Sequence, residues 1–217
     1  KGGTVFLAAP LGVDAAPEEL ARLDGSRPFV FACEGEGVRW IAVGTTEGVR
    51  MARTGDGTTR RSEPLPLGLR AALSPRDPAA DRIRLACDRG HADLIAIRED
   101  GLLFGTRCDA TARCGPVRTL ASGVERADLV REGGTTVLAW SGRGDPAAVH
   151  VAALGDEGLE HAGVPAACWG SGEGFCGPPR LTARNGRILL AVREGTDMLV
   201  IETIDAARTW RPMSGVR

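Results

Sequence analysis

The chain has 217 residues, is 43% hydrophobic and 25% charged, and carries a formal net charge of −1. That length buries a real core and allows one or two domains, while the near-zero charge leaves no global basic excess to hold nucleic acid. No apolar run approaches the roughly 20 residues of a membrane-spanning helix, so no transmembrane segment is expected. Lys1 is the only lysine, so the abundance of arginine reads as a compositional bias of the source, not as a sign that each arginine is functional.

The sequence starts at Lys1, so either a leader has been removed or the chain begins inside a longer protein. Residues 1–24 read as a leading strand and a helical connector. Thr4–Pro10 is the strand, and Ala16–Leu23, with Pro17 in the first turn, the short helix. The strand has two readings: the outer strand of the last repeat, closing a ring, or the last strand of an earlier repeat outside this chain.

From residue 25 onward the chain repeats itself. The clearest unit is Asn185–Pro212, in which the apolar run Ile188–Val192, a polar turn Arg193–Asp197 and a second run Met198–Ile204 follow one another. First runs with the same sequel occur at Trp40–Val43, Leu94–Ile97 and Val137–Trp140. Each is preceded by another short apolar stretch, at Phe29–Ala32, Ile83–Ala86, Leu129–Val130 and Arg180–Thr182. The equivalent positions Ile41, Leu94, Val137 and Ile188 lie 53, 43 and 51 residues apart. Three to four short strands at such a period are the signature of propeller blades. A continuous apolar run such as Ile188–Val192 suits a strand buried on both faces. The expected fold is therefore an all-β propeller, with blades near 25–71, 80–122, 125–165 and 176–214. It is either a closed four-bladed ring or part of a larger one.

Six cysteines, two pairs of them close in sequence (Cys108/Cys114 and Cys168/Cys176), point to disulfides and hence to an extracellular or periplasmic location. There is no C-x-x-C, and His91, His150 and His161 fit no ligand spacing, so neither a zinc site nor another metal or cofactor is expected.

The segment Thr203-Ile-Asp205-Ala-Ala207-Arg-Thr209-Trp210 resembles the Asp-box, the S/T-x-D-x-G-x-T/S-W turn of sialidase-like (BNR) propellers, with Ala207 in the usual glycine position. In that family the box is a folding staple between the third and fourth strands of a blade. The resemblance implies that Asp205 accepts backbone N–H groups of its own turn and that Trp210 covers the hairpin. The equivalent turn of the second blade is Cys108-Asp109-Ala-Thr-Ala-Arg-Cys114. There a Cys108–Cys114 disulfide is expected to replace the tryptophan. Cys33 and Cys87 end the first strands of successive blades, where a bridge is geometrically open but not fixed by the sequence.

Phe175-Cys176-Gly177-Pro178 precedes the last blade much as the F-R-I-P motif does in sialidases. Cys176 stands where that family has its carboxylate-binding arginine, the family nucleophile is a tyrosine and this chain has none. The resemblance thus implies the fold without the sialidase chemistry. The carboxylate pairs Glu34/Glu36, Glu99/Asp100 and Glu194/Asp197, together with Asp145 and Asp156, read as solvated hairpin tips rather than glycosidase pairs. Ser171 is not in a nucleophile elbow, and Trp40 and Trp140 read as core.

The ligand-binding candidates are Arg98, Arg143 and Arg193, which recur in equivalent turns and would form a basic arc on one rim, with Arg131 at a strand end. A fourth candidate is Trp169, presented by the Gly-rich loop between Cys168 and Cys176. The expected function is a non-catalytic, exported propeller that recognises a protein or glycan partner, with further blades outside this chain left open. The alternative is a sialidase-like glycoside hydrolase or a fragment of one.

Overall fold

The computed structural model describes residues 3–7, 18–23, 30–45, 48–55, 57–65, 82–142, 148–167, 177–194 and 197–213. All regular structure among them is β. A hairpin of β1 (Gly3–Leu7) and β2 (Glu18–Leu23) precedes four antiparallel sheets of four strands each. Sheet 1 holds β3 (Val30–Gly35), β4 (Val38–Thr45), β5 (Gly48–Gly55) and β6 (Thr58–Arg61). Sheet 2 holds β7 (Ile83–Cys87), β8 (His91–Ile97), β9 (Leu103–Asp109) and β10 (Arg118–Ala121). Sheet 3 holds β11 (Val124–Glu132), β12 (Thr135–Gly142), β13 (Ala148–Leu154) and β14 (Leu159–Ala167). Sheet 4 holds β15 (Arg180–Arg184), β16 (Arg187–Glu194), β17 (Asp197–Thr203) and β18 (Arg211–Pro212). In every sheet the strands are ordered as they occur in the chain, the meander of a propeller blade.

Turn chemistry sets the registers. Three of the four connections between first and second strands are two-residue turns with φ positive at both positions: Glu36/Gly37 (52° and 76°), Gly133/Gly134 (56° and 81°) and Asn185/Gly186 (54° and 73°). Such turns match the right-handed twist of the flanking strands. The fourth connection, in sheet 2, is held by the Asp88 carboxylate, which accepts the N–H groups of Gly90 (2.7 Å) and His91 (2.8 Å).

The sheets stack face to face, and the two-residue period of each strand decides which neighbour each side chain meets. On β8, Ala92, Leu94 and Ala96 join Val38, Trp40 and Met51 of sheet 1. Ile95 and Ile97 face the other way, to Leu138, Trp140 and Ala152 of sheet 3. On β12, Leu138 and Trp140 face sheet 2, while Ala139 joins Leu190, Val192 and Ile201 of sheet 4. Second strands are thus buried on both faces, which is why they read as continuous apolar runs. Trp40 and Trp140 are core, as expected.

Two expectations for the first 24 residues change. Glu18–Leu23 is a strand, paired along its length with β1 from Gly3↔Leu23 to Leu7↔Glu18, not a helix. An eight-residue helix is marginal alone, whereas the ladder gives these residues backbone partners. β1 also does not complete the last sheet, whose outer position β18 occupies. Instead β2 lies beside β4.

Candidate functional site

The first strands β3, β7, β11 and β15 lie side by side and run in the same direction. Their starts, with the turns between second and third strands, form an upper rim. Their ends, with the first-to-second and third-to-fourth turns, form a lower rim.

The lower rim is a series of clamps. Cys33 and Cys87, at the ends of β3 and β7, form a disulfide with Cα atoms 6.0 Å apart. Between sheets 2 and 3 sits Asp93, which is 0% exposed. Its carboxylate meets Arg107 Nε at 2.8 Å and Arg131 Nη1 at 3.0 Å and accepts the Thr136 hydroxyl. Arg131 also pairs with Asp88 at 2.5 Å. Burial would push the Asp88 carboxyl up, but the Arg131 guanidinium and the N–H groups of His91 and Gly90 hold it below its ordinary value. Glu132 then accepts the Gly186 N–H at 2.6 Å, joining sheets 3 and 4. Arg131 was placed in a ligand-binding arc by its position at a strand end. It is instead a buried lower-rim clamp, because β11 runs away from the upper rim.

Two of the turns that follow third strands on this rim share one device. Asp205 accepts the Thr203 hydroxyl at 2.7 Å, the Thr209 N–H at 2.9 Å and the Thr209 hydroxyl at 2.5 Å. Asp109 accepts the Thr111 N–H at 2.8 Å, the Thr111 hydroxyl at 2.6 Å and the Arg113 N–H at 3.1 Å. Trp210 packs on Val137, Ile188 and Ala207. At the equivalent place in sheet 2, Cys114 is bonded to Cys108. The Thr209 hydroxyl, its N–H and the Thr203 hydroxyl bring the Asp205 carboxyl down to about 2. An unfolded aspartate titrates near pH 3.9, so this turn contributes stability that is complete above about pH 5 and is lost as pH falls toward 2. An NMR carboxyl titration should place the Asp205 midpoint near 2, and Asp205→Asn should flatten the acid limb of the stability curve between about pH 4 and pH 2.

The upper rim holds the candidate site. Arg84 of β7, Arg126 of β11 and Arg180 at the start of β15 surround a cavity of about 170 Å³, completed by Ala127, Pro178 and Pro179. The Gly177 N–H bonds to the Arg193 carbonyl at 2.7 Å and so fixes the segment that delivers both prolines and Arg180. Asp128 orders the site from behind. One of its oxygens accepts Arg84 Nε at 3.1 Å, and the other accepts the Leu181 N–H at 2.8 Å. Three arginines therefore line one cavity, and the Asp128 carboxylate beside Arg84 is engaged on both sides. The arrangement is suited to an anion, which planar guanidinium groups hold with paired N–H donors.

The arginines anticipated for this rim are not those that line the cavity. Arg98 is held in its own turn by Asp100 and lies over the Phe104 ring at 5.3 Å. Arg193 is exposed at the end of β16. Arg143, Trp169, Cys168 and Cys176, with Asp145, Ser171 and Phe175, lie outside the described residues, as do the side chains of Glu194 and Asp197. Glu34 pairs with Arg39 at 2.9 Å and Asp156 with Arg107 at 2.5 Å. His150 stacks on Trp140. Among the described residues no group of three or more His, Cys, Asp or Glu side chains is placed to hold a metal, and no helix is long and apolar enough to cross a membrane. The sequence signal missed was one arginine near the start of each of three first strands.

No protein-family model matches the chain, and no curated protein matches it. Solved structures do. A sialidase from Trypanosoma rangeli, in complex with 2,3-difluorosialic acid, aligns over 97% of this chain and 42% of its own, at 12% identity and a TM-score of 0.50. A xylan β-1,4-xylosidase from Bacillus halodurans aligns over 90% of this chain and 43% of its own, at 15% identity and a TM-score of 0.46. An endo-1,4-β-xylanase from Bacteroides thetaiotaomicron aligns over 88% of this chain and 73% of its own, at 15% identity and a TM-score of 0.46. The chain spans less than half the length of the sialidase and of the xylosidase. Identities this low speak to fold alone, and on its own four sheets and the sialidase likeness the chain is an all-β propeller with four four-stranded blades.

Proposed function

We propose that this propeller is a non-catalytic recognition module of an exported protein, and that its upper rim binds an acidic glycan through Arg84, Arg126 and Arg180. The observation that carries the reading is the convergence of three arginines, from three consecutive first strands, on one cavity. The Asp128 carboxylate is engaged by Arg84 and the Leu181 N–H, which suits a positioning role better than acid or base catalysis. On this reading Arg98 and Arg193, on turns of the same rim, extend the basic surface. On this reading Thr203–Trp210 is an Asp-box staple. Export is supported by the two disulfides, which persist in oxidising compartments.

Calorimetry with 3′-sialyllactose, an oligogalacturonate and neutral lactose tests the reading. Binding of an acidic glycan, absent for lactose and weakened by salt, is expected. A hydrogen bond to a charged group is worth about 1.5–3 kcal/mol, so Arg126→Ala and Arg180→Ala should each weaken binding about tenfold or more. The glycoside hydrolase reading is favoured by the names of the structural neighbours. Turnover of a fluorogenic glycoside, abolished by substituting Asp128, Glu194 or Asp197, would replace the recognition reading with that one.

A further inference from the structure

A second cavity, about 340 Å³, opens on the lower rim between the outer half of sheet 2 and the turn joining β13 to β14. This size falls at the small end of ligand pockets, roughly 300–1,000 Å³. We propose that it binds a small organic acid, with the carboxylate on Arg113 and Arg118 and an apolar body on Leu120, Leu154 and Pro116. This site is independent of the upper-rim arginines.

The floor is built by a close approach. A Cβ at Gly105 would lie 2.6 Å from Leu120 Cδ1, so Leu120 fills the space over β9 that a larger side chain at 105 would make it leave. The wall is Arg107, whose guanidinium is engaged at all three nitrogens. It binds buried Asp93, meets Asp156 at 2.5 Å and donates to the Leu154 carbonyl at 2.7 Å. Asp109 holds its own turn through one oxygen, which accepts the Thr111 N–H and hydroxyl and the Arg113 N–H.

What remains is donor capacity. Arg118 uses Nη1 on the Asp156 carbonyl and keeps its other N–H groups. The Arg113 guanidinium makes no hydrogen bond with the described residues, and its charge acts on the Asp109 carboxylate of its own turn. Two guanidinium groups over an apolar floor, one of them offset in part by Asp109, complement an anionic head on an apolar body.

The probe is 4-phenylbutyrate, with 4-phenylbutyramide as the uncharged isostere and acetate as the head alone, each titrated into the full chain and followed by ¹H–¹⁵N NMR. Saturable binding of phenylbutyrate is expected, with shifts confined to β9, β10, the turn between them and the 154–158 turn. The amide and acetate should each bind at least tenfold more weakly. Arg113→Ala, which leaves the backbone hydrogen bonds of its turn in place, and Arg113→Ala/Arg118→Ala should weaken the acid about tenfold or more, while Arg126→Ala/Arg180→Ala should not change it. No saturable binding, equal affinity for acid and amide, or indifference to Arg113→Ala would overturn the proposal. Loss only in the upper-rim variant would assign the acid to that site instead.

Discussion

Replacing Asp93 by alanine should cost about 3–5 kcal/mol of stability, the range found when one partner of a buried ion pair is removed. In a chain of this length that lowers Tm by about 6–20 °C. The size of the effect follows from what is left behind. Asp93 is 0% exposed, and it is the carboxylate shared by Arg107 of its own sheet and by Arg131 and Thr136 of the next. Without it, the Arg131 side chain, 6% exposed, keeps only Asp88 and the Thr136 hydroxyl. A desolvated, under-paired guanidinium is the costly species. Arg107 suffers less, since it retains Asp156 and the Leu154 carbonyl. Two further variants separate this account from simple loss of packing. Asp93→Asn keeps the volume and should still be strongly destabilising. Asp93→Ala/Arg131→Ala should be no worse than Asp93→Ala, with a coupling energy of about 1–3 kcal/mol in a double-mutant cycle. Urea melts that show additive losses, or a loss below about 1 kcal/mol for Asp93→Ala, would mean that the pairs behave as solvated surface bridges.

The same residue shows where sequence reading stops. The second strands stand out because stacked sheets bury both of their faces, so Leu94–Ile97 and Ile188–Val192 are unbroken apolar runs. Asp93 lies inside such a strand but just before the apolar run as read. An acidic residue there requires a cation from the neighbouring sheet, and nothing in one dimension says which. The arginines of the upper cavity were missed for a related reason. The first strand of sheet 3 was placed at Leu129–Val130, whereas β11 begins at Val124. Arg126 therefore falls outside that run, and the repeated arginine near the start of the first strands does not show. Arg98 and Arg193 lie on one rim because turn position follows from strand order alone. Whether a turn arginine reaches a cavity depends on local partners, and Arg98 is captured by Asp100 two residues away. Glu18–Leu23 went astray because its helical composition outweighed a ladder with β1 that only tertiary structure reveals.

The Cys33–Cys87 bond is the second large contributor. It joins positions 54 residues apart, and closing a loop of that length removes unfolded-state entropy equivalent to about 4 kcal/mol. Cys108–Cys114 closes a loop with a separation of six residues, and the same relation gives about 2 kcal/mol. The two bonds also differ in what they hold. Cys33–Cys87 ties the lower ends of the first strands of sheets 1 and 2, next to the turn in which the Asp88 carbonyl accepts Trp40 Nε1–H at 3.0 Å. Cys108–Cys114 staples a turn within one sheet that already has the Asp109 carboxylate. Cys33→Ala/Cys87→Ala should therefore lower Tm by about 8–16 °C, and Cys108→Ala/Cys114→Ala by about half as much. Reductant should shift the wild type toward the melting curve of the first variant and leave that variant with only the smaller change. If both double variants melt within a degree or two of the wild type, the sheet 1–sheet 2 boundary is held by its apolar layer alone. The compartment argument would then lose its main support, since a fold indifferent to its disulfides gives no reason for an oxidising location.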